Sequence, residues 1–226
     1  GPLDGPLLFG RVLDGQGGAR AITWQDAQTW HPATAGEVLW LHLSRTVDGV
    51  HTWLENALGI PEPTAELLIS DATRPRAFRE GNALVATLRG INFNPGAEPE
   101  DMVSMQLWCD GARLITLRRV ALQTPRDTRD ALDRGYGPVD AGALITSLTE
   151  YMIARMSSVI LDLDDAIDKL EEVEIEYVDQ PLTTEISRIR RECLALKRYM
   201  SPQHEALENI ARDAPDWFED HDRREI

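Results

Sequence analysis

Apolar residues follow two different periods in the first 120 residues of the chain. Short alternating or apolar runs between turn residues predict β-strands over 7–13 (LLFGRVL) and 37–43 (EVLWLHL). Helical spacing replaces them over 47–58 and 63–70, with prolines at the break between the two segments. Further strands are predicted at RAFREG, ALVATLRGIN, DMVSMQLWCD and ARLITLRR. Strands mixed with helices predict a fold of the α/β or α+β class.

A different pattern begins near Asp140. Apolar residues then recur at spacings of three and four, which predicts one helix of roughly 35 residues that Pro181 is expected to end. A second series runs from Ile186 to about Arg212, with Pro202 as a candidate kink. Two long helices joined by a short break predict an antiparallel hairpin.

The first of these helices carries a dense acidic stretch. Residues 161–179 (LDLDDAIDKLEEVEIEYVD) contain nine carboxylates and one lysine. A turn near residue 180 places Asp162 opposite Arg198, so that the stretch lies beside a basic second helix. We interpret it as a solvated, partly ion-paired face, because a divalent cation needs several oxygens that converge on one point. A metal site within this helix is the alternative.

Composition narrows the classes of partner. The chain has 23 Lys and Arg against 38 Asp and Glu, a formal net charge of −15. That charge argues against nucleic acid, whose phosphates need clustered basic residues, and suits cations or basic proteins. Two cysteines fit a reducing compartment, and the sequence has no uninterrupted run of ~18 apolar residues typical of a membrane span. We expect a soluble, cytoplasmic chain.

The common sequence signatures of catalysis are absent. The chain contains no HExxH, CxxC or GxSxG motif and no phosphate-binding G-x4-GK[ST] loop. His42 lies in a strand among apolar neighbours and Cys193 lies on an apolar helical stripe, which indicates structural roles for both. His51, in the first turn of a predicted helix, is a weak candidate for a functional role. We therefore predict that the chain is not an enzyme and has no organic cofactor.

A mixed set of metal-ligand types occurs near the end of the sequence. The segment DAPDWFEDHDRREI (213–226) contains the candidate metal ligands Asp216, Glu219, Asp220, His221 and Asp222. Carboxylates together with an imidazole suit a borderline cation such as Zn²⁺. The alternative is a helix N-terminus, where acidic residues complement the helix dipole and Asp213 or Asp216 acts as the cap.

Several segments occur together, and in the same order, in one known family. The most specific are NPGAEPEDMVS, LW and RLITLR, followed by GYGPVDAGALITSLTEYMI. The acidic LDDAIDKLE and the basic ISRIRRECLALKRYMSPQHEAL then match two successive helices. In these segments, and over essentially its whole length, the chain resembles the cytoplasmic domain of ZntB-type zinc transporters, which belong to the CorA superfamily of divalent metal transporters.

The resemblance implies an architecture. Residues 1–138 are expected to form an α/β/α sandwich with a mostly antiparallel mixed sheet, 139–213 a long antiparallel helical hairpin, and 214–226 the start of a stalk helix. The chain is expected to end before the rest of the stalk and two membrane spans. The full-length protein is expected to be a homopentamer at the cytoplasmic face of the inner membrane, and the shorter chain a monomer or weak oligomer.

The resemblance also implies a place for cations. Members of the wider family bind regulatory divalent cations between protomers, partly through an acidic residue near the start of the stalk. Asp220, His221 and Asp222 lie in the corresponding region of this sequence. We therefore expect the chain to gather or sense Zn²⁺ or another divalent cation at a pore entrance. The alternative is a free-standing soluble interaction protein that docks a partner through its hairpin.

Overall fold

The computed structural model describes residues 5–98, 101–176 (side chains to residue 173) and 180–218. Its strands and helices follow in chain order: β1 Leu7–Leu13, β2 Ala19–Ala21, α1 Trp24–Gln28, β3 Val38–Ser44, α2 Val50–Leu58, α3 Glu62–Leu68, β4 Arg76–Glu80, β5 Ala83–Gly90, β6 Val103–Cys109, β7 Arg113–Arg118, α4 Gln123–Asp133, α5 Ala141–Glu176 and α6 Gln180–Arg212.

One seven-stranded sheet, in the order β2-β1-β3-β7-β6-β5-β4, organises the N-terminal part. Only the β3–β7 pair is parallel, and the other five pairs are antiparallel. Helices α1–α3 cover one face of the sheet, and α4–α6 cover the other. The predicted α/β/α sandwich with a mostly antiparallel mixed sheet, followed by a long hairpin, is confirmed.

Central strands are apolar on both faces because both faces are covered. All eight residues of β5 are buried, and residues of alternate parity belong to the cores on opposite faces. The polar exceptions are Arg89 and Thr87, and the Thr87 hydroxyl donates to Gln106 Oε1 at 2.5 Å across the β5–β6 pair. A continuous apolar run is therefore the expected sequence signature of such a strand.

Helices α5 and α6 form the predicted hairpin and contribute to two cores. Leu144, Leu148 and Met152 of α5 pack under the sheet, whereas Met156 and Ile160 meet α6 beyond the edge of the sheet. The stretch Ala141–Val173 is long and apolar enough to cross a membrane by length and composition alone. Part of this apolar surface is buried against the sheet and α6, whereas Leu161 and Val173 are exposed.

The predicted effect of Pro181 was wrong. α5 is described to Glu176, and Pro181 lies in the first turn of α6. Proline suits that position, since the first helical N–H groups have no partner within the helix. α6 continues through Pro202 as far as Arg212.

Helices α1 and α4 were not predicted. α4 buries Thr124, Pro125 and Thr128 together with one large aliphatic residue, Leu132. Its inward face therefore lacks the series of large apolar residues from which a helical period is recognised. α1 has only five residues, fewer than two helical turns, so that no period can be recognised in it.

Candidate functional site

The segment after α6 was predicted to carry metal ligands. Residues 213–218 form a bend and a turn, in which the amide of Phe218 donates to the carbonyl of Pro215 at 3.0 Å. Asp216 is exposed on this turn. The other four predicted ligands, Glu219, Asp220, His221 and Asp222, lie outside the described residues, as does most of the predicted start of the stalk helix. The metal site remains a prediction.

Two aromatic residues fix this segment to the sheet. Phe218 is 1% exposed and belongs to the larger core. Trp217 donates its indole N–H to the carbonyl of Asn82 at 2.7 Å. Its ring lies against Gly111, where a Cβ would come within 2.6 Å of the ring and φ is +96°. Residues 217–218, which lead into 219–226, are therefore held against the β4–β5 and β6–β7 turns.

The acidic face of α5 forms ion pairs with α6. Glu171 pairs with Arg190, and the carboxylate of Asp164 lies 3.7 Å from the ammonium of Lys197. The Cys193 thiol donates to the same Asp164 carboxylate at 3.4 Å. These contacts agree with the predicted apposition of the two helices. Among the described residues, this stretch contributes to no group of three potential metal ligands.

Another cluster of potential cation ligands joins α2 and α3. His51, Glu55 and Glu62 each offer a ligand atom, and these atoms all lie within 4.8 Å of one another. His51 Nδ1 is 3.9 Å from a carboxylate oxygen of Glu55, one helical turn away. Gly59 ends α2 in the left-handed region at φ +66°, so that the chain reverses and Glu62 returns beside them. It is the only such group found within the described ranges.

The donor types of this cluster suit Zn²⁺, which binds imidazole nitrogen and carboxylate oxygen at about 2.0–2.2 Å. The 3.9 Å between His51 Nδ1 and the Glu55 carboxylate exceeds the distance between two ligand atoms on one ion, so side-chain rotation must accompany binding. From the sequence, His51 was a weak candidate, and Glu55 and Glu62 were not predicted. The His-x3-Glu spacing was a usable signal, but the approach of Glu62 depends on the reversal at Gly59.

The remaining His and Cys candidates are structural. His42 is 3% exposed, its Nδ1 lies 2.8 Å from Thr116 Oγ1, and burial together with nearby arginines lowers its pKa to about 3. Burial raises the pKa of the Cys109 thiol far above its ordinary value. Burial also raises the pKa of Cys193. A protonated, buried thiol is a poor metal ligand, since the thiolate is the binding form.

The family of this chain is established by sequence. A profile of CorA-like Mg²⁺ transporter proteins matches residues 35–226. The chain therefore belongs to the CorA-like family. Over 218 residues, or 96% of its length, it is 36% identical to the divalent cation transporter CmaX of Pseudomonas aeruginosa. It is 31% identical over 219 residues to the zinc transport protein ZntB of Yersinia enterocolitica.

Solved structures agree with this assignment. Full-length CmaX superimposes with a TM-score of 0.90 at 34% identity and covers 98% of this chain and 68% of its own. The ZntB cytoplasmic domain of Vibrio parahaemolyticus, 21% identical, shares the fold with a TM-score of 0.79 over 97% of this chain and 86% of its own. The expected resemblance to a ZntB-like domain of the CorA superfamily is confirmed. The chain spans about 65% of the length of the curated relatives CmaX and ZntB.

Proposed function

We propose that this chain is the cytoplasmic domain of a divalent cation transporter and gathers or senses Zn²⁺ at the pore entrance. The observation that carries the proposal is the match to CmaX, which extends over 96% of this chain in sequence and 98% in structure. ZntB relatives, at 31% and 32% identity, support zinc as the cation. In the full-length protein, five such domains would surround one pore on the cytoplasmic side of the membrane.

Electrostatics supply the mechanism for gathering cations. The chain has a formal net charge of −15, and ten basic against 19 acidic residues lie in 151–226. A surface of one sign attracts counter-ions and raises their local concentration, an effect that added salt weakens. Several acidic domains arranged around a pore would add their fields. No enzymatic step is part of this proposal.

Sensing needs a site at which a cation changes the protein. The predicted ligands from Asp216 to Asp222 are one candidate, and they follow directly on the anchored Trp217 and Phe218. The cluster of His51, Glu55 and Glu62 is the second candidate. A cation that binds either site more tightly in one arrangement of the protein would shift the population towards that arrangement.

Calorimetric titration of the chain with Zn²⁺ tests the proposal, with Mg²⁺ as the comparison cation. We expect saturable Zn²⁺ binding that is weakened at least tenfold by His221→Ala/Asp222→Ala or by His51→Ala/Glu55→Gln. The matched control is His204→Ala/Glu205→Gln, an exposed pair on α6, which should leave binding unchanged.

The variant that loses binding identifies the site. Binding that survives in both test variants, or that falls equally in the control, would reject both candidate sites. Equal affinity for Mg²⁺ would contradict the choice of zinc. If no cation binds, the sensing role fails for this chain, and only the electrostatic gathering role is left.

A further inference from the structure

A cavity lined by arginines opens at one edge of the sheet, the edge formed by the carboxyl ends of β3, β5 and β7. β3 and β7 are parallel and end side by side, so that Arg45 and Arg119 leave the sheet as neighbours. Arg89, near the end of β5, is paired across the strands with Ser104, near the start of β6. These residues, with Asp71, line a cavity of about 340 Å³, which we call the arginine cavity. A crevice at the carboxyl ends of strands is a common place for ligands in α/β sheets.

Arg89 is the unusual member of this group. The residue is 8% exposed, and its guanidinium donates to Ser104 Oγ at 2.6 Å and lies 4.8 Å from the ring centroid of Tyr199. Its buried Nε has no acceptor within the part of the chain that the structure describes. Arg89 also takes part in none of the ion pairs among the described residues. A buried charge without a counter-charge is energetically costly.

Among the residues that the structure describes, one carboxylate lines the arginine cavity. Asp71, whose side chain is 75% exposed, pairs with Arg45 and lies 3.7 Å from Arg119. The lining therefore combines three guanidinium groups with one carboxylate, a net charge of +2. This local excess occurs in a chain whose formal charge is −15. A concave site with such charges favours a compact anion of more than one negative charge.

We propose that the arginine cavity binds a phosphate group, held by Arg45, Arg89 and Arg119. A planar guanidinium donates two parallel hydrogen bonds to a phosphate. The Ser104 hydroxyl, which accepts from Arg89 and donates to the carbonyl of Ala72 at 3.0 Å, holds the Arg89 guanidinium in place. The phosphate supplies a counter-charge to Arg89, which forms no ion pair with any residue that the structure describes. It belongs either to inorganic phosphate or to a phosphorylated metabolite, which share this chemistry.

The site is linked to the hairpin through Arg89. The backbone N–H of Arg89 donates to Gln203 Oε1, and the Gln203 side-chain amide donates to the carbonyl of Arg89, both at 2.8 Å. The guanidinium of the same residue stacks on Tyr199 of α6. A phosphate on Arg89 therefore adds order where the sheet meets α6. The inference does not depend on the proposed role in cation transport.

Inorganic phosphate is the first probe, titrated into the whole chain in a low-salt, chloride-matched buffer and followed by calorimetry and by the Gln203 side-chain amide signal in NMR. We expect saturable binding that Arg119→Ala weakens at least tenfold. The Arg119 side chain is 63% exposed, so its removal should leave the fold intact. Arg134→Ala, at an exposed arginine after α4, is the matched control and should change affinity less than twofold.

Asp71→Asn gives a prediction of the opposite sign. It removes the carboxylate that competes for Arg45 and Arg119, so phosphate should bind about three to ten times more tightly. A second titration with AMP distinguishes the two sources of phosphate, since tighter binding of AMP would indicate a phosphorylated metabolite and tighter binding of inorganic phosphate the free ion. Any of three results would overturn the proposal. These are no saturable binding of either probe, equal weakening of binding by Arg119→Ala and Arg134→Ala, and unchanged phosphate affinity in Asp71→Asn.

Discussion

The two edges of the central sheet that are formed by the ends of its strands differ in how they are covered. At the edge that holds the β4–β5 and β6–β7 turns, Trp217 and Phe218 close the sandwich by apolar packing and one indole hydrogen bond. At the other edge, arginines surround an open cavity, and a buried nitrogen of Arg89 has no described acceptor. The edge covered by Trp217 and Phe218 is therefore stabilised by packing. The other keeps charge that packing does not neutralise, which is the property expected of a binding surface.

The largest effect should come from the closed edge. Phe218→Ala removes a ring that is 1% exposed in the main core, and we expect a loss of about 3–5 kcal/mol in the free energy of unfolding. Chemical denaturation measures the change. Phe93→Ala, at a ring that is 52% exposed beyond the other edge, should cost less than about 0.5 kcal/mol. Similar losses in the two variants would contradict the difference between the edges.

A smaller effect is expected where α6 meets the arginine edge. Gln203→Met keeps the size of a fully buried side chain but leaves the N–H and the carbonyl of Arg89 without their partner. Because two buried polar groups lose their hydrogen-bond partners, the free energy of unfolding should fall by about 2–4 kcal/mol. Denaturation should show that loss, whereas the exposed neighbour substitution His204→Ala should be close to neutral. If Gln203→Met were also neutral, the contact would not hold the hairpin to the sheet.

The third effect is a pH dependence from the middle of the sheet. His42 has a pKa of about 3, lowered first by burial and then by Arg118, Arg126 and Arg129. Its ordinary value is 6.5, so the unfolded chain binds the proton more readily, and stability falls as the pH drops from 6.5 towards 3. Between pH 7 and pH 5 we expect His42 to account for a loss of about 2 kcal/mol.

Denaturation of the wild type and of His42→Gln at both pH values isolates this contribution. The variant should lose most of the pH dependence in that range, and His31→Gln, at an exposed histidine, should retain it. The Arg11 guanidinium beside Asp133 holds the pKa of that carboxyl below its usual range, so Asp133 titrates below this pH window. An unchanged pH dependence in His42→Gln would show that another group is responsible.

Much of the fold was predictable because its signals are local. The runs that become β1, β3 and β5 and the long apolar series of α5 and α6 each carry their own period. Resemblance to a known family then supplied the sandwich as a whole. α4 was missed because threonine and proline form most of its buried face. The position of Pro181 within α6 was missed because a proline that starts a helix and one that ends a helix look alike in sequence.

The candidate sites were less predictable because they depend on long-range pairing. Arg45, Arg89 and Arg119 are far apart in sequence, and only the strand order β3-β7-β6-β5 brings them to one edge. Glu62 approaches His51 only because the chain reverses at Gly59. By contrast, the carboxylates and imidazole of 216–222 are adjacent in sequence, which is why they were predicted first, and four of those five residues lie outside the described part of the chain.

The strand β5 has a mechanical consequence. Asn82, in the turn just before this strand, accepts a hydrogen bond from Trp217, and Arg89 near the other end of the strand is bonded to Gln203. Residues 203–217 therefore contact both ends of the same strand. β5 is hydrogen-bonded to β4 on one side and to β6 on the other. A pull along this strand must shear many hydrogen bonds together instead of opening them one by one. A force applied at Trp217 along β5 would therefore be shared between the sheet and the contact of Arg89 with the hairpin.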